Sequence, residues 1–212
     1  MLEKLELKNI SLSCKPSMHN FPTWKETLSD FSYTFSPGKV YAIISEPGRG
    51  GWAISYLLAG RVRSYAGSLL VNQKLANSRT LKTYGWYVGE AHEPSAITSL
   101  FRQKTIRQQL QSYTSNNHMV DELIDRFELS PSRLDRQMKH ISNERWNASA
   151  AIGLGQEKQI FCFPWMDDIW KNAIRARLRL CSEILRQQNG MVIIPTSSLL
   201  IVDDFVDEII YV

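Results

Sequence analysis

No run of apolar residues in this chain approaches the roughly 20 needed to cross a bilayer, so any membrane attachment is expected to go through a partner. Cysteine is scarce: the 212 residues hold three, Cys14, Cys162 and Cys181. They show neither a CxxC nor a Cys/His ligand spacing, and so support neither a disulfide framework nor a cysteine-based metal site. An odd count with no signal peptide fits a reducing cytosol. Charge of one sign is not concentrated either. The formal net charge of +4 is modest and spread along the chain, which argues for neither acidic headgroups nor nucleic acid. Lys and Arg do not cluster with aromatics as a single-strand binder requires. Internal repeats and low-complexity linkers are absent. What remains is 43% hydrophobic and 22% charged residues, an ordinary globular balance with enough chain for one large domain or a core with a smaller subdomain.

Hydrophobic periodicity orders the elements. "LEKLELKNISLSC" alternates and predicts an opening strand. "SDFSYTFSPGKVYAIIS" predicts a second alternating strand, a Pro37-Gly38 turn and a buried strand over 40–44. A short helix over 52–59 stops at Gly60. "YAGSLLVNQKL" predicts a hairpin turning at Asn72-Gln73, and "YGWYVGE" a strand ending near Glu90. From Ser99 to about Arg136 the pattern is helical, with Val120, Leu123, Ile124 and Phe127 on one face. Another helix follows over 144–154. "KQIFCFPW" reads as a buried strand, "MDDIWKNAIRARLRLCSEILRQQNG" as a helix capped by Gly190, and "MVIIP" and "VDEIIYV" as strands. Antiparallel β first, then strand–turn–helix, a helical insert and alternating strand and helix predict an α/β fold: a parallel-sheet core with an antiparallel β subdomain and an inserted α-helical subdomain. The strand–turn–helix of that core resembles the P-loop NTPase-like arrangement.

The stretch "SEPGRGGWAISYLLAG" has the bend of a phosphate-binding loop. In such loops, backbone N–H groups and a helix N-terminus cradle phosphate, and Gly48 and Gly50 keep that backbone permissive. Ser45, however, stands where the first Gly of the motif belongs. Gly51 replaces the Lys that reaches the β- and γ-phosphates, and Trp52 replaces the hydroxyl that holds Mg²⁺. Arg49 could offer a charge in place of that Lys, or be simply solvated.

With these segments in order, the chain resembles the ATP-binding subunit of an ABC transporter over nearly its whole length, as one unit. Residues 1–89 and 155–212 would form the core with its antiparallel region, and 90–154 the Q-loop and helical subdomain. "GWYVGEAHEPSAITSLFRQKTIRQQLQ" resembles the Q-loop and the segment that receives a permease, with Glu90 in place of Gln. "ISNERWNASAAIGLGQEKQIFCFPWM" resembles the signature segment and Walker B strand. Ser142 is kept there, Asn143-Glu144 replaces a Gly pair, and Pro164-Trp165 replaces the carboxylates. Asp167 and Asp168 are either displaced carboxylates or the start of the next helix. Thr196 stands at the switch histidine, with His92 and His140 the nearest imidazoles. Ser142 would serve the signature or act as a helix N-cap. Tryptophans 52, 146 and 165 are expected to fill space that polar chemistry vacated.

The resemblance implies ATP as ligand and a cytoplasmic position at the inner face of the membrane. It further implies a transmembrane permease as partner, and a second ABC subunit as homo- or heterodimer. The substitutions argue against Mg²⁺ binding and hydrolysis, leaving a degenerate subunit that supports transport by docking. Two other readings stand beside it. One is an active ATPase using Arg49, Glu90 and Asp167. The other is a stand-alone anion or nucleic-acid binder.

Overall fold

The computed structural model describes residues 1–17, 23–89, 104–113, 117–142, 144–167 and 171–212. The chain opens with β1 (Leu5–Cys14) and β2 (Glu26–Phe35), then β3 (Val40–Ile44), α1 (Gly51–Leu58), β4 (Ala66–Val71) and β5 (Lys74–Leu75). Next come α2 (Ser78–Tyr84), β6 (Gly85–Tyr87), α3 (Ile106–Tyr113), α4 (Asn117–Arg126), α5 (Pro131–Leu134) and α6 (Arg145–Gly155). β7 (Ile160–Cys162), α7 (Lys171–Gln187), β8 (Met191–Thr196) and β9 (Glu208–Tyr211) complete it.

Two sheets follow from two kinds of strand. β1 alternates buried and exposed side chains and pairs antiparallel with β2 and β4 in a sheet ordered β2-β1-β4-β5. β8 is buried at every position, the pattern of a strand covered on both faces. It lies inside a parallel sheet ordered β6-β7-β8-β3-β9, paired with β3 from Val40↔Val192 to Ile44↔Thr196. α1 lies between the two sheets, touching β1 and β2 on one side and β7 and β8 on the other. One core fills that layer, with Leu5, Ile10, Tyr41, Ile54 and Leu58. A second lies between the parallel sheet and the helices, where Val120, Leu123 and Phe127 of α4 and its C-terminal end are buried as the periodicity predicts.

Several local expectations meet the structure directly. Asn72 (φ 50) and Gln73 (φ 65) form the β4–β5 turn, both in the left-handed region that this hairpin turn demands. The Asn72 side chain also accepts from the N–H groups of Glu3 and Lys4. α1 begins one residue early, at Gly51, and ends before Gly60, whose φ is +74.

Three expectations need correction. The helix α2 was not anticipated: its start is set by the Asn77 side-chain Oδ1, which accepts from the N–H groups of Arg79 and Thr80. Met166 pairs with Thr196 in an extended bridge, so α7 does not begin there. At the other end of α7 the left-handed residue is Asn189 (φ 58), not Gly190. Gly190 is needed for closeness instead, since a Cβ there would meet the Leu185 carbonyl at 2.8 Å.

The last strand is fastened to the sheet's edge by charge. Glu208 accepts from Lys39 and from the Tyr33 hydroxyl, while the Asp207 carboxylate accepts from the Val40 N–H at 2.8 Å. Hydrogen bonds from Lys39 and then Tyr33 hold the Glu208 carboxyl below the usual glutamate range.

Candidate functional site

The chain turns from β3 into α1 through residues 45–50, at the C-terminal edge of the parallel sheet. Gly48 (φ +88) and Gly50 (φ +101) take left-handed backbone there, which turns their N–H groups toward the start of β2. They meet a carboxylate of the chain itself. Glu26 is fully buried. Its Oε1 accepts from the Gly48 N–H at 2.7 Å and its Oε2 from the Gly50 N–H at 2.8 Å. The Trp24 indole N–H donates to Oε1 as well. β2 closes on the loop around this contact: the Thr27 N–H donates to the Gly48 carbonyl at 3.1 Å. A Cβ on Gly50 would come within 2.8 Å of Leu28 Cδ1. Backbone amides in such a nest attract an anion, and an ionised acceptor makes the stronger class of hydrogen bond. Across the β1–β2 ladder Glu26 faces Cys14. Burial, and then the Glu26 charge, push the Cys14 thiol up to about 12.

Positions 45 and 51 face each other across the two ends of the loop. The Ser45 hydroxyl is buried and makes no hydrogen bond. It occupies the place a side chain on residue 51 would need, because a Cβ built on Gly51 lands on Ser45 Oγ. A side chain at 51 would therefore have to displace the Ser45 hydroxyl from its present position.

Trp52 is fully buried. Its indole N–H donates to the Tyr87 hydroxyl at 2.7 Å, which satisfies the one polar group such a ring carries into the interior. Trp24 packs edge-on against Trp52 with centroids 4.9 Å apart, and edge-on against Trp165 at 5.8 Å. Two of the expected tryptophans thus meet beside the loop, bridged by a third from the segment before β2. Trp146 stands apart from them, edge-on to Phe163 at 6.0 Å.

The remaining predicted positions are distributed as follows. Arg49 is exposed and lines an open cleft of about 600 Å³ between β2 and the end of β9. At the close of the β7 segment Pro164 and Trp165 are buried, and the Met166 N–H donates to the Pro195 carbonyl. Asp167 follows half-buried and outside any helix. Thr196 is buried. Its carbonyl accepts from the Ser45 N–H at 3.1 Å and its hydroxyl bonds to Ser198, so it ties the loop to β8. His140 lies on a 3-10 turn over Met138–His140, away from the loop's elements. Glu90, His92, Asn143 and Asp168 lie outside the described residues.

At the signature position the N-cap of the helix falls two residues beyond the serine, and its side chain makes no capping hydrogen bond. Ser142 is exposed, and α6 takes Glu144 as its N-cap residue. The Glu144 carboxylate accepts from the Ser130 N–H at 3.0 Å and the Ser130 hydroxyl at 2.6 Å, anchoring the start of α5. Arg145, nearly buried, donates to the Ile141 and Lys139 carbonyls, and burial lowers its pKa.

Sequence reasoning missed Glu26, Trp24 and Tyr87. Pairing Trp24 and Glu26 with a loop more than 20 residues downstream follows from no sequence motif. The start of β2 brings them there, where the Thr27 N–H holds the Gly48 carbonyl.

No protein-family model matches the chain, and no curated protein matches it. Solved structures do. CbiO1 of Clostridium perfringens, part of the ABC transporter complex CbiONQ, superposes with a TM-score of 0.69 at 14% identity, covering 100% of this chain and 85% of that one. A Pyrococcus furiosus protein assigned as an ABC transporter ATP-binding protein gives 0.67 at 17% identity, covering 99% and 97%. A bacterial Atm1-family ABC exporter with ATP bound gives 0.67 at 14%, covering 100% of this chain and 37% of the exporter. The parallel sheet with the antiparallel sheet and helices about it is thus shared with these proteins: the chain has the fold of ABC transporter ATP-binding subunits.

Proposed function

We propose that this chain is a degenerate ABC-type subunit that docks to a transmembrane permease and supports transport with little or no ATP hydrolysis of its own. The observation that carries the reading is the Glu26 carboxylate on the N–H groups of Gly48 and Gly50. Those are the groups a phosphate would use, and a carboxylate already holding them repels a triphosphate. Trp52 and Trp165, buried together with Trp24, supply no oxygen to a cation. The residues at the loop therefore do not fit Mg·ATP. Phosphoryl transfer depends on charge placed around the γ-phosphate, and Arg49, the nearest cation of the loop, is exposed.

Docking would use the segment around Glu90–Gln111, whose described part ends in α3. A second ABC subunit, identical or different, would complete the assembly at the inner face of the membrane. Among the described residues no helix is long and apolar enough to cross a bilayer, so attachment would run through the permease. Titration of the purified chain with ATP, with and without Mg²⁺, tests the reading. The expected result is no magnesium-dependent binding and no turnover, while the chain co-purifies with a co-expressed permease subunit. Tight magnesium-dependent capture of ATP would overturn the first half, and failure to associate the second.

A further inference from the structure

On the edge of the parallel sheet opposite the loop, where α1 ends and β6 and β7 begin, the chain forms a recess of about 260 Å³. Arg61, Lys82, Trp86, Tyr87, Gln156 and Lys158 shape it. Among the described residues lining it, none is acidic. Lys158 reaches in half-buried and donates to the carbonyls of Lys82 and Thr83 at 2.7 and 3.1 Å. It thereby covers the carbonyl end of α2, which would otherwise repel an anion. Both partners are neutral. Burial alone lowers the Lys158 pKa, whereas an adjacent carboxylate would raise it. Gln156 brings a buried Nε2 with no hydrogen-bond partner, and buried donors without acceptors are uncommon. Arg61 is steadied over the Tyr87 ring, 5.5 Å from its centroid.

We propose that this recess binds a phosphoryl dianion, held by Lys158, Lys82 and Arg61 with Gln156 donating through its amide. Cations and an orphan amide that line one recess from separate elements suit a tetrahedral, doubly charged group better than a planar monoanion. The recess is smaller than the usual 300–1,000 Å³ of sites for whole small-molecule ligands, so it matches a free phosphate or the headgroup phosphate of a lipid rather than a nucleotide. The site is separate from the loop and does not depend on the role proposed above.

The probes are inorganic phosphate, followed by calorimetry at low salt, and phosphatidylcholine vesicles carrying phosphatidic acid, followed by sedimentation. Saturable one-to-one binding of phosphate is expected, weakened about tenfold by Lys158→Met and by Lys82→Met, as loss of one charge-assisted hydrogen bond implies. Lys74→Met, at an exposed lysine on β5, leaves it unchanged. Phosphate also raises the melting midpoint of the natural protein and not of Lys158→Met. Vesicle sedimentation that Lys82→Met abolishes assigns the same site to a lipid source. Lys82 is exposed, so its variant keeps the test sound if Lys158→Met fails to fold. The proposal is overturned if neither probe binds, or if binding is indifferent to both lysines.

Discussion

Truncating Glu26 isolates the contact on which the closed loop depends. The carboxylate accepts from two backbone N–H groups and one indole N–H, and Glu26 itself is fully buried. Glu26→Ala removes every one of those acceptors at once. A buried donor left without a partner costs about 1–3 kcal/mol, so three in a dry site would cost about 3–9 kcal/mol. Gly48 and Trp24 are only half-buried, and water reaching them lowers the expected loss to about 3–5 kcal/mol. Glu26→Gln keeps one carbonyl oxygen but turns an N–H₂ toward the other amide, and should cost about 1–3 kcal/mol. Urea unfolding reads both as shifts in midpoint at unchanged slope. With a slope of about 2 kcal/mol/M, the alanine variant should lose about 1.5–2.5 M. The reasoning fails if both variants unfold within about 0.5 kcal/mol of the natural protein.

Gly51→Ala should destabilise by about 1–3 kcal/mol because its Cβ meets Ser45 Oγ. In a Ser45→Gly background the same change should instead stabilise by about 0.5–1 kcal/mol, the ordinary preference for Ala over Gly in a helix. A double-mutant cycle by urea unfolding measures the reversal, and additive effects would refute the steric account. Tyr87→Phe leaves the Trp52 indole N–H buried without an acceptor and should cost about 1–3 kcal/mol, with a shift in tryptophan emission. Because Lys39 and Tyr33 depress the Glu208 pKa, the stabilisation it gives is fully present above the ordinary glutamate range and is lost as pH falls below that range through the lowered native value. Denaturation of Glu208→Gln should show a deficit at neutral pH that shrinks in acid, and a constant deficit would argue against that linkage. All three thiols have pKa values raised chiefly by burial, so alkylation by iodoacetamide at pH 8 should be slow in the native protein and fast in urea. Rapid native labelling of Cys162 or Cys181 would contradict their burial.

Much of the fold was legible because single patterns decided it. The buried run of β8 and the Asn72-Gln73 turn each have one physical meaning, and both stand where periodicity and turn chemistry put them. The helix α2 was not legible because "SRTLKTY" carries no apolar stripe: of its residues Leu81 is the buried one, and a side-chain cap rather than burial starts it. Ser142 looked like a cap because serine suits that place, but the N-cap position of α6 falls at Glu144, whose carboxylate is taken up by Ser130, 14 residues away. At the loop, the left-handed glycines and the buried indoles could be read locally. Glu26 could not, since a carboxylate on an alternating strand looks like any solvated residue until the neighbouring sheet closes over it.

The contact between positions 45 and 51 sets the order in which the loop can be rebuilt. A lysine placed at 51 has first to turn the serine hydroxyl out of its present position, whereas a glycine at 45 clears that space beforehand. Laboratory variants seeking ATP capture should therefore start from Ser45→Gly.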